Sequence, residues 1–93
     1  MEVITSKVTA GIHLPQAGPA ASADAISDVA ELAESLGFQD VWVSDHLIIP
    51  ADAKYPPSAY IYEPLAVMAW VAAKTTKVKL GTTVLVLPMR NPI

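Results

Sequence analysis

The triplet Ser44-Asp45-His46 follows the apolar run Val41-Trp42-Val43, and His13 lies near the end of another apolar stretch, with Gln16 just beyond it. Imidazole titrates near neutral pH, so His46 is a candidate proton donor or acceptor, and Asp45 beside it a group that fixes its tautomer or holds the backbone. A Ser-Asp-His triplet at a strand end also serves as a turn or helix cap. A lone histidine in an apolar strand, such as His13, is commonly a hydrogen-bonded packing residue. Thr82, Thr83 and the loop over 88–91 are the remaining polar candidates at strand ends.

Composition removes other chemistries. The chain has no cysteine, which excludes a disulfide framework, a thiolate metal site and a cysteine nucleophile together. A His-x-His metal pair would need a second histidine beside His13, where Leu14 and Pro15 stand, so no metal site is expected. Gly11, Gly18, Gly37 and Gly81 form neither a dinucleotide fingerprint nor a phosphate loop. Six Lys plus Arg against nine Asp plus Glu give a net charge of -3, and with no basic stripe a nucleic-acid partner is not expected. The longest uncharged helical stretch, 64–73, is about half of the ~20 residues a membrane span needs. The run 8–23 is interrupted by Gly11, His13, Pro15 and Gln16 and makes a poor signal peptide, so the expected location is cytoplasmic.

Strand-like and helix-like periods alternate along the chain. A strand is expected over 7–14, stopped by Pro15. A helix follows over 23–36, with Ser22 as N-cap, Asp24 in the first turn, Ile26, Val29, Ala30, Ala33 and Leu36 as its apolar stripe, and Gly37 beyond its end. Asp24, Asp28, Glu31 and Glu34 form its expected solvated face. A second strand is expected over 40–44 and a long loop over 47–62, rich in proline and tyrosine, as a lid or a plain surface loop. Pro64 opens a second helix over 64–73, with Leu65, Met68, Ala69 and Ala72 as its buried stripe and Lys74 and Lys77 complementing its end. A third strand is expected over 78–87, where Gly81 marks a close backbone approach.

Strand, helix, strand, helix, strand implies parallel pairing with right-handed crossovers. Both an open doubly wound sheet and the first part of a (β/α)₈ barrel share that order, and a whole barrel needs about 250 residues. In either case ligands bind beyond the carboxyl ends of the strands. Asn91-Pro92-Ile93 looks like the opening of a third helix. With 53% apolar and 16% charged residues, against roughly 25% charged in ordinary domains, the chain is expected to be a single partial domain over 1–93, the N-terminal part of something larger.

Four segments carry a family resemblance: 11–19 (GIHLPQAGP), 31–38 (ELAESLGF), 41–46 (VWVSDH) and 80–92 (LGTTVLVLPMRNP). In order and at natural spacing they resemble the N-terminal third of luciferase-like monooxygenases, and within them the branch that uses the deazaflavin coenzyme F420, with FMN as the alternative cofactor. The family's barrel has five further strands. The resemblance implies an α/β fold, a TIM (β/α)₈ barrel with the redox ring at its C-terminal face. It implies that Asp45 and His46 lie against the ring, and that a bulge with a non-prolyl cis peptide falls at Thr83-Val84. His13 and Ser44, at neighbouring strand ends, are the further candidates for cofactor contact, while Val84, Val86 and Leu87 would serve equally as plain core.

The implied reaction is hydride transfer between the cofactor and an unidentified small organic substrate, with His46 as acid/base or as polar support for the transition state. The parent is expected to be a homo-oligomer, and residues 1–93 alone to be inactive. A sugar-isomerase-like barrel, which would need metal ligands from later strands, and a non-catalytic flavin-binding domain are the competing readings.

Overall fold

The computed structural model describes residues 8–46, 52 and 61–91. Five elements follow in the expected alternation: β1 (Gly11–His13), α1 (Ala23–Ser35), β2 (Asp40–Val43), α2 (Pro64–Lys74) and β3 (Lys79–Thr82), after which Leu87–Met89 makes a single 3₁₀ turn. The strands form one parallel sheet in the order β1-β2-β3. β1 takes up 11–13 of the expected 7–14, β2 stops one residue short of the expected 44, and β3 takes up 79–82 of the expected 78–87, its pairing ending where β2 ends, at Val43 opposite Thr82. The expected lid over 47–62 falls, apart from Asp52, Ile61 and Tyr62, outside the described residues, as do Pro92 and Ile93.

Local chemistry sets the helix ends. Ser22 Oγ accepts the Ala25 N–H at 2.9 Å, the ordinary N-cap bond. At the other end Gly37 takes φ +91°; its N–H reaches Glu34 O at 3.2 Å and the Phe38 N–H reaches Ala33 O at 3.0 Å. That pair of bonds is a Schellman closure, and it needs a residue tolerant of the left-handed region. Glu63 caps α2 by accepting the Ala66 N–H at 2.8 Å, with Pro64 in the first turn.

Both helices cover one face of the sheet. Leu14, Ile26, Ala30, Ala33, Val41, Val43, Val67 and Val71 are buried together there. Two expected stripes need correction. In α1, Leu36 is 67% exposed because the Schellman closure ends the helix before it. In α2 the buried residues are Pro64, Val67 and Val71, whereas Leu65, Ala69 and Ala72 face outward and Met68 is half-buried. The helix is apolar nearly all round, so its sequence holds no polar stripe to fix which side faces in.

Residues alternate across a strand. Val41 and Val43 face the helices, so Asp40, Trp42 and Ser44 face the side that neither helix covers. The register sets His13 and Gly81 on either side of Trp42. That helix-free face, at its carboxyl end, is where the polar candidates gather.

Candidate active site

Trp42 lies across the helix-free face between two glycines. A Cβ on Gly81 would come 2.6 Å from Trp42 Cζ3, and one on Gly11 would come 2.7 Å from Trp42 Nε1. The indole therefore takes the space side chains would fill on both neighbouring strands, as the close approach expected at Gly81 requires. Its Nε1–H donates to Asp40 Oδ1 at 2.6 Å.

Beyond this floor, one side chain from the end of each strand joins a single chain of hydrogen bonds. His13 Nε2 is 2.8 Å from Ser44 Oγ, and Ser44 Oγ is 2.9 Å from Thr83 Oγ1. His13 Nδ1 lies 2.9 Å from Leu14 O. A carbonyl only accepts, so Nδ1 carries the ring proton and Nε2 of the neutral ring is the acceptor. Thr83 Oγ1 also has Val43 O at 3.4 Å, and the Thr83 N–H bonds that same carbonyl at 2.9 Å. His13 and Thr83 are exposed and Ser44 is half-buried, so the chain of bonds lies open to a ligand.

Gln16 holds the central member in place. The β1-β2 ladder ends with the Leu14 N–H on Trp42 O at 2.9 Å, because the Gln16 N–H, the next donor on that edge, turns back to Leu14 O at 2.8 Å. The Gln16 amide replaces the missing peptide: its Oε1 accepts the Ser44 N–H at 2.8 Å, and its Nε2 donates to Ser44 O at 2.7 Å and to Tyr62 O at 2.8 Å. Only 2% of Gln16 is exposed. Its amide is the commonest solution to a buried polar demand, full pairing.

Asp45 turns into the protein. Its Oδ2 accepts the Val86 N–H at 2.9 Å and Arg90 Nη2 at 2.6 Å, and its Oδ1 accepts the His46 backbone N–H at 3.0 Å. Arg90 Nη1 meets Glu63 Oε1 at 2.5 Å. Burial alone would push the Asp45 carboxyl up, but the Val86 N–H and the Arg90 guanidinium outweigh it and hold the group below the ordinary aspartate range. Glu63 is lowered in the same way, burial being outweighed by the Ala66 N–H and Arg90. Both Asp45 oxygens are thus engaged with the backbone and Arg90, and its tie to His46 is to the main chain rather than the ring. His46 itself is exposed.

Sequence reading missed this network. Arg90 lay in a loop nominated without a role and Glu63 was only the residue before Pro64; a lone arginine in a charge-poor segment was the available signal. Val84 is 57% and Leu87 68% exposed, so neither is buried among the described residues. Among the described residues no group of three or more His, Asp or Glu could hold a metal ion, and none of the helices is long and apolar enough to cross a membrane.

Among the described residues the site presents imidazole and hydroxyl groups at three strand ends, while Arg90 is paired with two carboxylates. That donor set suits the polar edge of a planar heterocycle and a substrate hydroxyl or carbonyl. Phosphates would have to be held by other residues.

The F420-dependent glucose-6-phosphate dehydrogenase of Kineococcus radiotolerans is 42% identical over 69 residues, which cover 72% of this chain and 19% of that protein. The chain thus matches about a fifth of that relative's length. No solved structure matches it. The model of the family described as luciferase-like monooxygenase matches residues 2–93, nearly the whole chain, and to that family the chain belongs.

Proposed function

We propose that residues 1–93 form the opening βαβαβ portion of a (β/α)₈ barrel, and that the parent protein is a cytoplasmic, homo-oligomeric oxidoreductase. It transfers a hydride between the deazaflavin F420 and a small organic substrate. The observation that carries this reading is the hydrogen-bonded chain of His13, Ser44 and Thr83 at the carboxyl ends of three parallel strands, the end where barrels of this type bind ligands, with His46 exposed just beyond β2. The sequence match to an F420-dependent dehydrogenase supports the cofactor. Family membership alone is compatible with FMN.

When bound, the deazaflavin supplies the ring carbon that gives or takes the hydride. The protein's own share is orientation and proton handling. His46, exposed and held by its backbone on Asp45, exchanges a proton with the substrate oxygen. Ser44 and Thr83 offer hydroxyls to the ring edge, with Val84 beside them. Asp45, Arg90 and Gln16 keep the turn that carries these groups in one conformation.

Titrating the full-length protein with F420 and, separately, with FMN tests the reading by fluorescence quenching. Saturable binding of F420 at micromolar concentration or tighter is expected, with substrate-dependent bleaching of the bound chromophore. Tight binding of FMN without a response to F420 would move the protein to the flavin-dependent monooxygenases. Binding of neither, with metal-dependent isomerisation of a sugar, would overturn the oxidoreductase reading.

A further inference from the structure

The hydrogen bonds among His13, Ser44 and Thr83 can be drawn completely in two ways, and the two differ by one proton. With a neutral ring, Nδ1–H donates to Leu14 O, the Ser44 hydroxyl donates to His13 Nε2, and the Thr83 hydroxyl donates to Ser44 Oγ. With a protonated ring, Nε2–H donates to Ser44 Oγ, the Ser44 hydroxyl donates to Thr83 Oγ1, and the Thr83 hydroxyl turns to Val43 O at 3.4 Å. Every donor has an acceptor in both arrangements, and no heavy atom has to move.

We propose that His13, Ser44 and Thr83 form a proton relay, in which His13 is the terminal base and Thr83 the outer, ligand-facing end. A hydroxylic substrate giving its proton to Thr83 Oγ1 displaces the Thr83 proton to Ser44 Oγ and the Ser44 proton to His13 Nε2. One O–H bond breaks in the substrate and one N–H bond forms on His13. The two hydroxyls each lose and gain a proton, and no electrons leave the chain of groups. This deepens the proposed function and rests on it, since it gives the substrate's one hydroxyl proton an acceptor when His46 already holds a proton.

The surroundings suit such a base. Among the described residues, the ionisable groups on the neighbouring strands and just beyond their carboxyl ends are Asp40, Asp45, His46 and Lys79. Asp40 and Lys79 stand at the opposite, amino ends of β2 and β3, Asp45 is paired with Arg90, and His46 is exposed beyond the end of β2. Leu14 O fixes the tautomer from behind, and Gln16 fixes the Ser44 backbone on both its N–H and its C=O. The relay therefore has a held base and a held middle member, which proton transfer over two bonds requires.

Two readouts test it in the full-length protein, one of them without cofactor. In the ¹⁵N-histidine-labelled protein, with His13→Gln for assignment, the neutral His13 ring is expected as the Nδ1–H tautomer. On acidification an Nε2–H should appear whose exchange with water is slowed, and Ser44→Ala should speed that exchange at least tenfold. An Nε2–H tautomer in the neutral ring, or exchange indifferent to Ser44→Ala, would overturn the relay.

In the F420-loaded protein, single-turnover rates across pH should lose the same ionisation in Ser44→Ala and in His13→Gln. The double variant should be no slower than either alone, and Ser44→Thr should restore the profile by keeping a hydroxyl. A profile unchanged in Ser44→Ala would also overturn the relay. Failure to bind F420, with the tautomer and exchange results as expected, would sink the cofactor reading and leave the relay standing.

Discussion

Each end of the sheet is fastened by one carboxylate, and the two are used differently. At the amino end Glu34, from α1, collects the backbone N–H groups of Thr76, Lys77 and Val78 on a single oxygen, Oε2, and so shapes the turn that enters β3. At the carboxyl end Asp45 collects the N–H groups of His46 and Val86 together with Arg90. Glu34 works near solvent without an arginine, but Asp45 has only 8% of its surface exposed, and a carboxylate buried that far needs a cation beside it. Among the described residues the amino end also carries Asp40, which holds the Trp42 indole, and the exposed Lys77 and Lys79. The carboxyl end still presents His13, Ser44, Thr83 and His46, and that surplus of polar groups beyond what the fold consumes is what separates a site from a fastening.

Breaking the stronger fastening should have the largest effect on stability. Asp45→Ala leaves Arg90 Nη2 and the Val86 and His46 N–H groups without their acceptor, at a cost on the order of 3 kcal/mol, read as a lowered chemical-denaturation midpoint. An unchanged midpoint would show that Arg90 and Glu63 close the network without it. Gln16→Leu keeps bulk but strands the Ser44 N–H and C=O, and should cost about 2 kcal/mol; its loss should also loosen Ser44, seen as faster amide exchange at that residue. Slow exchange there would mean the backbone holds itself.

Glu34→Gln should have the smallest effect, since the amide oxygen still accepts. It sharpens the comparison through pH. The N–H groups of Lys77 and Val78 hold the Glu34 carboxyl below its ordinary range, and Asp45 is lowered as well. A group whose pKa is depressed on folding contributes stability that is complete above its unfolded value of about 4 and is lost as pH falls through the folded value. The melting temperature should therefore decline in acid. Glu34→Gln should remove only part of that decline, and Asp45→Asn should remove a larger part. Equal effects of the two would erase the distinction between the ends.

The fold was legible where the signal was local. Ser22 and Gly37 mark the two ends of α1, Pro64 marks the start of α2, and the βαβαβ order follows from periodicity. The facing of α2 was not legible, because a helix apolar on every side has no phase to read. Glu34 was read as part of a solvated face, since its partners lie over forty positions away and no local pattern announces them. At the site, the rule about carboxyl ends brought out His13, Gln16, Ser44, Asp45, His46, Thr82 and Thr83. The split between outward groups and the inward Asp45 needed Arg90 and Val86, which only the tertiary structure brings alongside.

The central claim is that the groups left over at the carboxyl end do chemistry, and His46 tests it most directly. In the full-length protein, His46→Ala should be followed by single-turnover hydride transfer at saturating substrate and, in the same sample, by a thermal melt. A rate lowered by roughly a hundredfold or more with the melt unchanged is expected. An unchanged rate with a lowered melting temperature would contradict it and return His46 to the role of a turn residue.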